Sequence, residues 1–185
     1  MLKLAVENLG ILPNGNYIDA TFGRGSYSKE ILKLISEKGS LFSFDLDPDA
    51  IKVAFEIKNK NFKIFHCNFS DFDNKIPDEI KTSINGIVAD LGVSSPQLDD
   101  DKRGFSFQND GPLDMRMDNS KGITAKDFIN NASESEIANV IYKYGEEHKS
   151  RQIAKKIVLH RKNKVIVSTS ELSNIVSAVV KTRKG

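Results

Sequence analysis

A doubly wound α/β layer followed by a helical subdomain is the fold that this 185-residue sequence predicts. Three observations predict it. Apolar runs of strand length alternate with helix-length amphipathic segments through the first half of the chain. These strands run into glycine, aspartate or asparagine, residues suited to turns and to ligand contact beyond the carboxyl ends of a parallel sheet. From about residue 124 the alternation stops, and capping-box signatures introduce one apolar helical run after another.

Leu2, Val6 and Leu9 lie at helical spacing in residues 1–12, with Gly10 just past the helix end. Pro13, Asn14 and Gly15 form a turn, and Tyr17 to Phe22 reads as a strand running into Gly23-Arg24-Gly25. Ser26 and Ser28 are candidate N-caps for a helix with Ile31, Leu34 and Ile35 on its apolar face and Gly39 closing it. A second strand, Leu41 to Phe44, leads to Asp45-Leu46-Asp47-Pro48. Pro48 suits the first helical position and Asp47 the N-cap before it. A helix through Ile51, Ala54 and Phe55 follows, then a third strand from Phe62 to Phe65 and the segment Asn68-Phe69-Ser70. A loosely defined helical stretch reaches about Ile80, and the fourth strand is Ile84 to Ala89. It delivers Asp90 into a long polar loop extending to Asp118, without helical period and broken by Pro96, Gly104, Gly111 and Pro112. Loops of that length usually belong to a site.

Beyond the loop, Thr124 with Asp127, Ser133 with Glu136, and Ser168 with Glu171 are capping-box pairs. Ile137, Val140, Ile141 and Tyr144 predict one apolar helix face, and Ile153, Ile157 and Val158 another. Residues 124–182 therefore read as helical. The domain division is drawn at residue 120, with the α/β core over 1–120 and the helical subdomain over 121–185.

Composition narrows the class. A hydrophobic fraction of 39% with 28% charged residues is ordinary for a globular protein. No apolar run approaches a membrane span, and the start lacks a signal-peptide core. The single cysteine, Cys67, rules out an internal disulfide and suits a reducing, cytoplasmic compartment. It reads as a semi-buried structural residue. Between Ser40 and Ser120 there are 15 acidic and 9 basic residues, whereas Lys143 to Gly185 holds 11 basic and 3 acidic. A carboxylate-rich site beside a basic surface suits a nucleic acid partner, and a solvated lysine-rich face is the plainer alternative.

The glycine turn after the first strand allows close approach of a ligand, and the next helix presents free N–H groups. A dinucleotide fingerprint wants a third glycine where Ser28 stands. Asp45 lies 22 residues after Gly23, near the offset at which a carboxylate meets ribose hydroxyls. Asp47 competes for that role but has a capping duty. Phe69 is placed either to lie against an adenine ring or to pack as a core phenylalanine. These features fit NAD and S-adenosylmethionine equally. The fourth strand favours the latter. The small-residue segment Leu91-Gly92-Val93-Ser94-Ser95-Pro96-Gln97 after Asp90 suits methyl transfer to an exocyclic amine. Hydroxyl and carbonyl acceptors there can bind the N–H groups, localise the amine's lone pair and align it.

The stretches YIDATFGRGSYS, FDLDPDA, GIVADLGVSSPQLDDDKRGFSFQNDGPLDMRMD and IYKYGEEHKSRQIAKKIV resemble the bacterial small-subunit (16S) ribosomal RNA cytosine-N4 methyltransferases, the MraW/RsmH family. The resemblance runs from Leu2 to Gly185 and is most specific in DLGVSSPQLD and DGPLDMRMD. It implies a Rossmann-like, S-adenosylmethionine-dependent fold with an inserted helical domain. The implied substrate is a cytosine N4 amine in the decoding centre of the small (30S) ribosomal subunit. It further implies cofactor contacts from Gly25, Ser26, Tyr27, Asp45, Phe69, Asp90 and Gln97, with Ser94, Ser95 and Pro96 holding the target amine. The family more often has Gly-Gly-His where this chain has Gly25-Ser26-Tyr27, which preserves backbone contacts but not those of an imidazole.

Phe105 and Phe107 are candidates for stacking on an extruded base, or for pinning the loop; Arg103 and Arg116 for phosphates or neighbouring aspartates. Asp99, Asp100 and Asp101 lack the spacing and glycine of a calcium loop, so no metal is expected. Arg151, Lys155, Lys156, Arg161 and Lys162 offer a phosphate grip for ribosomal RNA, and His148 and His160 read as surface residues. Against the family's pattern, the amino-terminal His-x-Pro-Val and the later PATRTFQA-like and SFHSLEDR-like motifs are missing. The sequence is therefore expected to be an amino-terminal portion, with strand four an exposed edge. Two rival functions follow: a non-catalytic cofactor- or RNA-binding fragment, and an NAD-dependent oxidoreductase, which Ser28 disfavours.

Overall fold

The structure, a computed structural model, describes residues 2–180. Lys181 and Thr182, at the end of the expected helical stretch, lie outside them. The described residues form two compact units that meet between Ser94 and Ser95. The long central loop belongs mainly to the second unit.

The first unit starts with α1 (Leu2–Asn8), after which Gly10 turns the chain at φ +61°. Strand β1 spans Asn16–Asp19, and α2 spans Ser26–Leu34. Then come β2 (Ser40–Asp45), α3 (Pro48–Ala54) and β3 (Phe62–His66). A 3-10 turn, Phe69–Asp71, and two single-turn helices, α4 (Phe72–Lys75) and α5 (Asp78–Lys81), make up the loosely helical stretch. Strand β4, Ile84–Val88, completes a parallel sheet of order β3-β2-β1-β4. This is the doubly wound, Rossmann-like arrangement. Among the described residues β4 is an edge strand, and Ile87 on it is exposed.

Both faces of β1 and β2 are covered, so their residues sort by period two into two cores. Ile18, Phe42 and Phe44 face the cluster completed by Ile76, with half-buried Cys67 packed against it. Tyr17 and Leu41 face the opposite way, against Ile31 of α2. Strand β1 is shorter than the expected Tyr17–Phe22 run. Beyond Asp19 the chain leaves the ladder in steps, Ala20 N–H bonding to Val88 and Phe22 N–H to Phe44.

The second unit begins with α6 (Ser95–Asp99) and a 3-10 turn at Asp101–Arg103, so part of the supposedly irregular loop is helical. The remaining helices are α7 (Ala125–Asn131), α8 (Glu134–Gly145), α9 (Ser150–Arg161) and α10 (Thr169–Ser177). Ile137, Ile153, Ile157 and Ile166 form their core with Leu113 from the loop. On α8 the inward residues are Ile137 and Ala138, whereas Val140 and Tyr144 are exposed. The expected face was drawn too far round the helix.

Two capping boxes are complete. Thr124 exchanges bonds with Asp127, and Ser133 with Glu136. The third is one-sided. Ser168 accepts from Glu171 N–H, but the Glu171 carboxylate takes Val167 N–H instead. That carboxylate also meets His160 and Lys164, at 3.2 and 3.1 Å. No helix of the described residues is long and apolar enough to cross a membrane.

Candidate functional site

The carboxyl ends of the first unit's strands carry the polar groups singled out from the sequence. Gly25 sits at φ +75°, and its N–H closes a turn onto the Phe22 carbonyl at 2.7 Å. A Cβ on Gly25 would lie 2.6 Å from the Phe22 ring, so the close packing requires glycine. A Cβ on Gly23, at φ +55°, would meet the Thr21 carbonyl oxygen at 4.0 Å, an ordinary contact. Gly25 is also the N-cap of α2 and supplies no side-chain acceptor. The first N–H groups of α2 are thus not capped by a side chain, as an anion- or hydroxyl-binding turn needs.

Neither candidate serine caps this helix. Ser26 is exposed at its first position. Ser28 turns inward, is fully buried, and donates its hydroxyl to Asp19 at 2.6 Å. The helix face followed suit: Ile31 is buried and Leu34 is 52% exposed. Tyr27, next to them, is half-buried.

Asp45 ends β2 and organises the turn. One carboxylate oxygen accepts Gly23 N–H at 2.7 Å, the other Asp47 N–H at 2.8 Å. Each carboxylate oxygen has a further acceptor site, so hydroxyl donors remain compatible with this arrangement. Asp47 caps α3 through Asp49 N–H, with Pro48 in the first turn, as its sequence position requires. Phe69 opens the 3-10 turn and is 43% exposed, which excludes the core alternative. Asp90 is exposed, and its N–H donates to the Thr21 hydroxyl at 2.7 Å, tying the exit of β4 to that of β1.

Asp19 is the group that sequence reading passed over. It shares a face with Tyr17 and pairs in register with Ser43 on β2. Ser28 Oγ lies between them, 2.6 Å from Asp19 and 2.9 Å from Ser43 Oγ. Thr21 N–H supplies a second donor at 3.2 Å. Burial pushes the Asp19 carboxyl up to about 6, the serine and Thr21 donors opposing and Asp45 reinforcing it. The signal was available: an acid in a strand buried on both faces has to be a buried acid.

Ser94 closes the first unit, and Ser95 and Pro96 open α6 in the second. Gln97 is buried there, its amide 3.4 Å from the Met117 sulfur. In the loop, Arg103 is buried and donates to the carbonyls of Arg116 and Met117, at 3.1 and 2.9 Å. Its guanidinium lies 5.8 Å from the Phe105 ring centre. Arg116 forms a two-pronged pair with Asp114, at 2.8 and 2.6 Å, which holds that carboxyl below its ordinary range. Of the two arginines, then, both serve the loop itself. Asp118 is likewise held low, by Ser120 and then Lys121. Phe107 is 71% exposed and Phe105 half-buried.

On α9, Arg151, Lys155 and Lys156 are exposed, as is Lys162 beyond it. Arg161 is not part of that surface. It donates to the carbonyls of Ile129 and Ala132, at 2.6 and 2.7 Å, and so closes the carboxyl end of α7. His148 is exposed, and His160 is half-buried beside Glu171.

A parallel sheet with a glycine turn and acidic residues at its strand exits is a Rossmann-like, nucleotide-cofactor fold. Sequence comparison narrows the class. A family model described as the MraW methylase family matches residues 1–185, and the chain belongs to that family. It is 48% identical over 182 residues to "Ribosomal RNA small subunit methyltransferase H" of Alteromonas mediterranea, covering 97% of this chain and 58% of that protein. The protein of the same name from Herminiimonas arsenicoxydans is 46% identical over 187 residues, covering all of this chain and 58% of the relative. That of Vesicomyosocius okutanii is 48% identical over 186 residues and is 61% covered. The chain thus spans about three fifths of the length of these relatives.

Proposed function

We propose that this chain carries the S-adenosylmethionine-binding and part of the substrate-binding machinery of an enzyme that methylates the N4 amine of a cytosine in small-subunit ribosomal RNA. The observation that supports it most is the closure of Asp45 on Gly23, which joins an acidic strand end to an uncapped glycine turn. The chain fits the cofactor. Gly23 is uncrowded, with an ordinary 4.0 Å contact to the Thr21 carbonyl oxygen, the α2 N–H groups lack a side-chain cap, and carboxylates stand at two adjacent strand ends for a ligand that is cationic and carries ribose hydroxyls.

S-adenosylmethionine supplies an electrophilic methyl on a positively charged sulfur. Gly25, Ser26 and Tyr27 hold its polar end, Asp45 accepts from ribose hydroxyls, and exposed Phe69 lies against adenine. Asp90 and Gln97 complete the set. Ser94, Ser95 and Pro96 accept the amine's N–H groups and orient its lone pair, a gain in alignment rather than in acid–base chemistry. Arg151, Lys155, Lys156 and Lys162 meet RNA phosphates, in keeping with a cytoplasmic enzyme acting on the 30S particle.

Calorimetric titration of S-adenosylmethionine, and incorporation of labelled methyl into small-subunit RNA, test the proposal. Absence of cofactor binding removes it. Binding without turnover supports the second reading, a non-catalytic cofactor- or RNA-binding fragment.

A further inference from the structure

Asp19 differs from the other carboxylates at the head of the sheet. It has no exposed surface, and its hydrogen-bond donors are neutral, a serine hydroxyl and a backbone N–H. A carboxylate removed from water without a countercharge is unfavourable in its ionised form. The elements around the two acids carry Asp45 at the end of β2, His66 beside it in register at the end of β3, Asp90 after β4, Arg24 in the turn, and Tyr27, Lys29 and Glu30 on α2. Among the described residues, the charge acting on Asp19 is that of Asp45, a second anion that makes ionisation harder still. Asp45 in turn holds Gly23, and Thr21, which donates to Asp19, accepts from Asp90. The buried carboxyl is thereby wired to the glycine turn and to the exits of three strands. Among the described residues, neither Asp19 nor Asp45 is held by a cationic side chain.

We propose that Asp19 is a further cofactor-binding group: with Asp45 it forms the anion that a positively charged methyl donor neutralises, a proton leaving the pair for solvent as the donor enters. This rests on the S-adenosylmethionine reading above. The donor carries a sulfonium, an ammonium and a carboxylate, and so a net positive charge. Its demethylated product, S-adenosylhomocysteine, has lost the sulfonium charge. Once the methyl group has moved to the amine, the pair takes a proton back from solvent and the product is held less tightly than the donor. The same two residues then favour donor capture and product release. A carboxylate with a purely structural role makes no such distinction.

The test is calorimetric titration of the donor and of its demethylated product into the full chain and its Asp19→Asn variant. It is run from about pH 5 to about pH 8 in two buffers of different ionisation enthalpy. The wild type is expected to release a proton on binding the donor, its Kd falling by up to about tenfold per pH unit and levelling off above about pH 6. The product is expected to show a smaller effect. Asp19→Asn is expected to abolish proton release and bring the two affinities together. Ser28→Ala removes a donor to the carboxylate and is expected to move the proton-release window to higher pH, which covers the case of a poorly folded Asp19→Asn. A variant that keeps both the wild-type proton release and the donor-to-product ratio overturns the proposal, as does an unmoved window in Ser28→Ala. A wild type that binds both ligands equally and releases no proton overturns this inference alone. A wild type that binds neither overturns the cofactor reading with it.

Discussion

Asp45 and Gly23 stand 22 residues apart in sequence, and the carboxylate of one holds the backbone N–H of the other at 2.7 Å. The glycine turn and the acidic end of β2 are therefore a single hydrogen-bonded object. Removing the carboxylate alters the turn as well as any contact to a ligand.

Asp45→Ala is expected to weaken S-adenosylmethionine binding by about 1.5–3 kcal/mol, the range for hydrogen bonds to a charged group. It also strands Gly23 and Asp47 N–H groups, so the melting temperature is expected to fall. Asp45→Asn, which keeps an acceptor, is expected to retain more stability than affinity. Equal cofactor affinities in wild type and Asp45→Ala, measured by calorimetry, would sink the ribose assignment.

Gly25→Ala combines a backbone angle of +75° with a Cβ placed against the Phe22 ring. The left-handed conformation alone costs about 1–2 kcal/mol for a residue with a Cβ, and the ring contact adds to it. Urea denaturation is expected to show a loss above about 1 kcal/mol, and an unchanged midpoint contradicts the packing described.

Thr124→Ala and Ser133→Ala each remove one side of a complete capping box and are expected to cost about 1 kcal/mol. Ser168→Ala is expected to cost less, because its bond to Glu171 N–H is long at 3.4 Å and Glu171 is held independently by Val167, His160 and Lys164. Ranking the three by chemical denaturation tests the difference.

Arg161→Ala and the pair Lys155→Ala and Lys156→Ala separate structure from RNA contact. The first uncaps α7 and is expected to lower stability by about 1–3 kcal/mol. The lysine changes are expected to leave stability within about 0.5 kcal/mol. Removing each lysine that meets a phosphate is expected to lower the salt dependence of RNA binding by about one counterion. An unchanged salt slope in the lysine variants would remove them from the RNA surface.

Asp19 sets the sign of one pH effect. Its native value, about 6, lies above the ordinary 3.8, so the folded protein holds this proton more tightly than the unfolded chain. The stabilisation is fully present below the unfolded value and is lost as pH rises through about 6. The difference amounts to roughly 3 kcal/mol. Asp19→Asn is therefore expected to raise the melting temperature at neutral pH and to converge with wild type in acid. No gain at neutral pH would mean that Asp19 is already relieved in the native protein.

Much of the fold was legible because its signals are local. Asp47 before Pro48 marks the start of α3, and Thr124 and Ser133 mark α7 and α8, by bonds made within one helical turn. The sorting of β1 and β2 residues into two opposite cores follows from a pleat of period two. The glycine turn and Asp45 were equally readable, since they sit at or just beyond strand ends, whereas the exposure of Phe69 was settled only by the fold. Helix faces were less so. Leu34, Val140 and Tyr144 are apolar and correctly spaced, yet which angular sector is covered depends on neighbouring elements.

The sequence by itself determined the order of strands and helices, the caps of α3, α7 and α8, and the family. Only the tertiary structure decided where the polar side chains go. Ser28 left the helix cap for Asp19, Arg161 left the basic surface for the carbonyls of α7, and Arg103 went under its own loop. The physical reason is shared. Each of these residues satisfies polar groups contributed by a different element or turn of the chain, a demand that exists only once the chain has folded.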